Sequence, residues 1–162
     1  MDRLAWCFVV LVGLTSATAA QTHASIEALL DAQRKEFSEN CKIIELTDSF
    51  IIRTDVNGDG LDDAVLDYGG LNCDGSSMIY CGSAGCSMEI HLQEAGGQFV
   101  MVGAVFARGL EFDRPNPANP SFLAYMHGNE CGRSGIESCV LRFGIKAGEL
   151  VEMGEEAPPP DE

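Results

Sequence analysis

The sequence predicts an α+β domain: a mainly antiparallel sheet packed by one N-terminal helix, with disulfide-stapled loops. Three observations predict it. One segment, Ser25 to Asn40, carries apolar residues at helical spacing. Downstream runs, such as Ser87 to Gln93, alternate at the period of two that marks strands. Six cysteines follow an apolar leader, and their even number suits a disulfide framework in an exported chain.

The leader comes first. Leu4 to Leu14 is apolar and Ala17-Thr18-Ala19 is an A-x-A pattern. Residues 1–20 therefore read as a signal peptide, cut after Ala19 or Ala20, and the run is too short to span a membrane. Residues 21–153 form the single domain. Within the helix, Ile26, Leu29, Leu30, Gln33 and Phe37 share one face, and Cys41 continues it. Ser25 caps the first turn and Glu27 suits its positive dipole end.

Ser49 to Thr54 and Ala64 to Tyr68 are the first two strands. Asn72 to Gly85 is rich in cysteine and glycine and reads as a loop held by disulfides. In the strand Ser87 to Gln93, Met88, Ile90 and Leu92 face the core. Glu89 and His91 face the other way, which leaves His91 exposed. Gly96-Gly97 turns the chain. Phe99 to Ala107 is apolar at both parities, which places it near the sheet centre with the helix over one face. Three prolines make Arg114 to Pro120 a loop. Phe122 to Met126 and Val140 to Ile145 are the last strands. Residues 154–162, acidic and proline-rich, read as a disordered tail.

The 162 residues carry a formal charge of −15. That balance argues against nucleic acid and anionic lipid as partners and permits a cation or a basic protein of the envelope. No segment after the leader is long and apolar enough to cross a membrane. The expected location is periplasmic or secreted. Two cysteine pairs suggest themselves as local loops, Cys73–Cys81 and Cys131–Cys139, which leaves Cys41 for Cys86. A zinc set of Cys73, Cys81, Cys86 and His91 competes with this. Its spacing lacks the tight pairs usual in zinc sites.

The clearest chemical signature is Asp55-Val56-Asn57-Gly58-Asp59-Gly60-Leu61-Asp62-Asp63. Oxygen donors at alternate positions, with a glycine at the sharp turn, suit calcium. Asn57-Gly58 is by itself a hairpin turn signal. However, four carboxylates in nine residues repel one another unless a cation joins them. Position twelve, counted from Asp55, is Leu66, where a helix–loop–helix calcium site needs glutamate. The flanking strands also argue for a strand–loop–strand site.

This EF-hand-like loop resembles the shorter D-x-D-x-D-G-x-x-D loops of FG-GAP and VCBS-type repeats. The resemblance covers these nine residues and implies calcium ligation by Asp55, Asn57, Asp59, the Leu61 carbonyl and Asp63. A single copy does not make the propeller those repeats build. The chain also resembles a group of small exported bacterial proteins. That likeness is carried by the acidic loop running into Asp67-Tyr68-Gly69, by Cys81-Gly82-Ser83-Ala84-Gly85-Cys86, and by His127-Gly128 ahead of Cys131-Gly132-Arg133. It implies a periplasmic location.

His127 and Arg133 are the remaining candidates. His127 lies beside Glu130 and Ser134, the residue types of acyl-transfer sites. No G-x-S-x-G elbow accompanies them, and a loop-fixing hydrogen bond is the plainer role for His127. Arg133 is expected to pair with a nearby acid. The expected function is a non-catalytic exported domain with one structural calcium ion. The alternatives are a proteinaceous inhibitor of a basic envelope hydrolase and a small hydrolase using His127. A protruding acidic or serine-rich loop would favour the inhibitor.

Overall fold

The computed structural model describes residues 21–112 and 120–156. The expected signal peptide, most of the proline loop and the end of the acidic tail lie outside them. The α+β class holds, with three layers: one helix, a main sheet and a second sheet.

A short strand β1 (Thr22–His23) precedes helix α1 (Ile26–Phe37). Ser25 caps the helix, its hydroxyl accepting the Ala28 N–H at 3.2 Å. Strand β2 (Ile44–Leu46) follows, then a 3₁₀ turn (Asp48–Phe50) and β3 (Ile51–Thr54). The acidic loop joins β3 to β4 (Asp63–Asp67), and Tyr68–Gly70 forms a second 3₁₀ turn. Strands β5 (Leu71–Cys73), β6 (Cys81–Gly82), β7 (Gly85–Gln93) and β8 (Phe99–Ala107) complete the first half. The second half holds β9 (Gly109–Phe112), β10 (Ser121–Met126), β11 (Cys139–Lys146) and β12 (Glu149–Glu156).

All pairings between these strands are antiparallel. The main sheet runs β1-β8-β7-β4-β3, with β6 on the end of β7. The second sheet runs β12-β11-β10-β9, and β2–β5 form a separate ribbon. β7, and not β8, therefore lies at the centre; beyond β8 there is only the two-residue β1. The main sheet has two apolar faces. Val65, Met88, Ile90 and Val105 pack against Phe122, Ala124 and Leu141 of the second sheet. Ala64, Leu66, Tyr68 and Phe99 pack against Leu29 and Phe37 of α1. Phe37, Phe50, Tyr68 and Tyr80 form an aromatic cluster under the helix, with ring centroids 5.0–6.0 Å apart.

The pairings Cys41–Cys86 and Cys73–Cys81 give way to Cys41–Cys73 and Cys81–Cys86, while Cys131–Cys139 is as expected. The reason is strand pairing inside the segment read as loop. Ile44 of β2 sits opposite Cys73 of β5, which brings the end of α1 to Cys73. Cys81 and Cys86 face each other across the β6–β7 hairpin. With all six thiols in disulfides, the zinc set of Cys73, Cys81, Cys86 and His91 is excluded. The start of the segment expected as a disordered tail is also strand: residues 154–156 belong to β12, held to β11 by ladder pairs from Lys146↔Glu149 to Val140↔Glu156. Arg142 reinforces that edge, its Nε donating to Glu156 Oε1 at 2.7 Å.

Candidate functional site

The acidic loop is built around one carboxylate. Asp55 Oδ1 accepts N–H groups from Gly58 (2.7 Å) and Asp59 (3.2 Å), and Oδ2 accepts that of Gly60 (2.9 Å). Gly58 and Gly60 hold φ of +77° and +87°, a region that favours glycine. Asn57 Oδ1 accepts the Asp59 N–H at 3.0 Å, and Asp59 Oδ1 accepts the Leu61 N–H at 2.8 Å. The backbone thus turns around its own side-chain oxygens.

Asp63 differs from the others. It is fully buried, and its two oxygens accept the Val56 N–H (2.8 Å) and the Gln93 N–H (2.7 Å). It ties the mouth of the loop to the end of β7. Burial pushes its carboxyl up to about 6, against the pull of the Gln93 and Val56 amides. The charges of Asp59 and Asp55 push the same way as burial. The acids therefore feel one another. Among the described residues, though, no three His, Cys, Asp or Glu side chains gather as a metal-ligating group. The donor chemistry, all carboxylate, amide and carbonyl oxygen, fits a hard cation. Each Asp63 oxygen accepts a single N–H and keeps a lone pair for one.

A second constellation was hidden in the sequence. On the α1 face of the main sheet, Glu89, half-buried, and His91, fully buried, meet Gln33 and Tyr68. The Tyr68 hydroxyl lies 2.7 Å from Glu89 Oε1 and 2.9 Å from Gln33 Oε1. Its one proton goes to the charged acceptor. His91 Nε2 lies 3.0 Å from Glu89 Oε2. Burial pushes the Glu89 carboxyl up. Hydrogen bonds to His91 and Tyr68, and the charges of His91 and His23, outweigh it and hold the group below its usual range. Burial, then Glu89, push the Tyr68 phenol upward. The expectation of an exposed His91 is thus overturned: α1 covers that face of β7. A signal was present in Gln33, a polar residue on the inner face of the helix, which needs a polar partner when buried.

The third region is the loop closed by Cys131–Cys139. His127 caps a 3₁₀ turn (Gly128–Cys131), its Nδ1 accepting the Asn129 N–H at 3.5 Å. Its ring presses on Gly135, where an added Cβ would lie 2.2 Å from Cε1. The Glu130 N–H donates to the His127 carbonyl at 2.9 Å, closing the turn, but the His127 ring makes no hydrogen bond to the side chains of Glu130 or Ser134 among the described residues. Arg133 pairs with Glu155 of β12. The loop is closely packed at its base, yet Ile136 near its tip is 90 % exposed. No protein-family model, curated protein or solved structure matches this chain.

Proposed function

We propose that the chain is an exported, non-catalytic domain, held together by three disulfides and one structural calcium ion in the Asp55–Asp63 loop. The observation that carries this reading is the pairing of all six cysteines between residues 41 and 139. Disulfides persist in oxidising compartments and are rare in the cytosol. The calcium part is supported by oxygen donors on a backbone already turned around them. Asp55, Asn57, Asp59, the Leu61 carbonyl and Asp63 would hold the ion, which would neutralise their mutual repulsion and lock the β3–β4 connection. Its expected affinity is weak, about 10⁻⁴ to 10⁻³ M, as in extracellular modules. The test of export is the mass of the protein recovered from the periplasm after alkylation of free thiols. A chain beginning at Ala20 or Gln21 with no alkylated cysteine is expected. A retained leader or several free thiols would contradict the reading.

One observation favours a second reading, an inhibitor of a basic envelope hydrolase. The Cys131–Cys139 loop projects Ile136 into solvent from a braced base and carries Ser134, Glu137 and Ser138, with Glu130 just ahead of it. A preordered apolar anchor with an acidic surround suits the cleft of a cationic protein. Titration against a basic lysozyme tests it: inhibition lost in Ile136→Asp supports this reading, and no inhibition by the native chain rejects it.

A further inference from the structure

We propose that His23 and His91 form a second metal site, for a zinc-like divalent cation bound through imidazole nitrogen. It is separate from the oxygen-lined acidic loop and does not depend on calcium there.

The topology brings the two histidines together. Phe99 of β8 stands opposite His23 of β1 on one side and Gln93 of β7 on the other. Side chains directly opposite share a face, and residues two apart on a strand do as well. His23, Phe99 and His91 therefore share the α1 face of the sheet. The imidazole centroids are 6.1 Å apart with their planes tilted by 59°. Two imidazoles on one tetrahedral ion with Zn–N bonds near 2.0–2.1 Å have centroids roughly 5 Å apart, so the rings would close by roughly 1 Å on binding.

The hydrogen bonds decide which nitrogens are available. His91 Nε2 is engaged by Glu89 Oε2 at 3.0 Å, and a carboxylate only accepts, so this nitrogen carries the proton. Nδ1 then presents a lone pair. It is buried and has no partner, and His91 as a whole is 0 % exposed. His23 Nε2 is likewise buried without a partner. These are the two buried side-chain nitrogen or oxygen atoms left unsatisfied among the described residues. Orphaned buried polar nitrogens are costly and point to an unseen partner.

The surroundings favour a metal over another polar ligand. A metal-bound histidine typically donates its other ring N–H to a carboxylate, which fixes its tautomer and raises its basicity. Glu89 does this to His91 and is itself fixed by the Tyr68 hydroxyl. Imidazole donors select zinc or copper over calcium and magnesium. Among the described residues no third His, Cys, Asp or Glu side chain completes the set. Water would fill the other positions, on the side of His23, which is partly exposed where His91 is not.

The test uses untagged mature protein, stripped with chelator and then kept in excess Ca²⁺ so that the acidic loop is saturated. Zn²⁺ alone is added, and binding is read by calorimetry and by the imidazole ¹⁵N signals. One equivalent of Zn²⁺ is expected to bind. It should shift His91 Nδ1 and His23 Nε2 while leaving His127 unmoved. His23→Ala, on a two-residue edge strand, should keep the fold and weaken binding at least about tenfold, since even outer-shell changes cost metal sites about 10- to 100-fold. Tyr68→Phe probes the positioning role of that outer shell and should weaken binding less. Equal Zn²⁺ affinity in the native and His23→Ala chains would overturn the proposal. So would native His23 and His91 signals that Zn²⁺ leaves unchanged, the result expected if a water molecule satisfies both nitrogens.

Discussion

Removing the Cys41–Cys73 bridge should be the most damaging disulfide loss, and its size follows from the loop it closes. The cysteines are 32 residues apart, against 5 for Cys81–Cys86 and 8 for Cys131–Cys139. Loop-closure entropy alone gives about 3.7 kcal/mol for the first, about 2.1 for the second and about 2.5 for the third. The bridge also joins the end of α1 to β5 inside the helix-side core, where both cysteines are buried. Alanine at both positions avoids placing new hydroxyl groups there. The Cys41→Ala, Cys73→Ala double variant should thus lose about 1.6 kcal/mol more than the Cys81→Ala, Cys86→Ala variant. Urea unfolding monitored by tyrosine fluorescence and circular dichroism measures both, with calcium held constant. Non-reducing peptide mapping of the first variant should find Cys81–Cys86 intact. An equal loss in the two variants, or free thiols at Cys81 and Cys86 in the first, would refute the connectivity and the reasoning from loop length.

Other outcomes follow from the polar groups. Asp63→Ala should cost about 2 kcal/mol even in chelator, because the Val56 N–H is left buried without an acceptor. Asp59→Ala, whose hydrogen bonds are exposed, should change chelated stability by less than about 0.5 kcal/mol; urea midpoints for the two compare the roles directly. Tyr68→Phe should cost about 1–2 kcal/mol at neutral pH by leaving Glu89 Oε1 without its donor, measurable by thermal unfolding. The pH dependence has a definite sign. The Glu89 carboxyl sits below its usual range in the fold, so its contribution is present above the ordinary value of 4.5 and is lost as pH falls through the folded value. His23 is lowered, by burial first and then by the charge of His91, so acidification through 6.5 also favours the unfolded chain, more weakly because His23 is partly exposed. Metal-free Glu89→Gln should therefore show a flatter acid limb than the native chain in unfolding midpoints from pH 7 to 3.

Much of the fold was legible because its signals are local. Ile26, Leu29, Phe37 and the Ser25 cap define α1 without tertiary help, and the strands around the acidic loop are marked by their β-branched residues. What escaped was set by long-range packing. β7 alternates, and its pattern alone assigns polar Glu89 and His91 to solvent. In the folded chain α1 lies over them, and the Glu89 carboxylate is met by the Tyr68 hydroxyl, by His91 Nε2 and, at 3.5 Å, by Gln33 Nε2. β12 was hidden by its acids, which point outward or pair with Arg133 and Arg142 while Leu150 packs over Gly103. β2 and β5 are each only three residues long, too short for a periodic pattern, and with them went the Cys41–Cys73 pairing. In the candidate site, the donor sequence Asp55–Asp63 was plain. The division of labour within it was not, since only the folded chain gives Asp63 the second task of tying β7 to the loop.

Calcium in the Asp55–Asp63 loop is proposed as a structural element of this disulfide-bonded domain. The direct measurement is the melting temperature of the oxidised mature protein, first in chelator and then across a Ca²⁺ titration from about 10⁻⁵ to 10⁻² M, with Asp55→Asn alongside. At a Ca²⁺ concentration 100-fold above Kd, binding to the native state alone stabilises by about 2.7 kcal/mol. The native chain should therefore melt several degrees higher at the top of the series, with its midpoint near 10⁻⁴ to 10⁻³ M, and Asp55→Asn should not respond. A native melting temperature that stays constant across the series would contradict the claim.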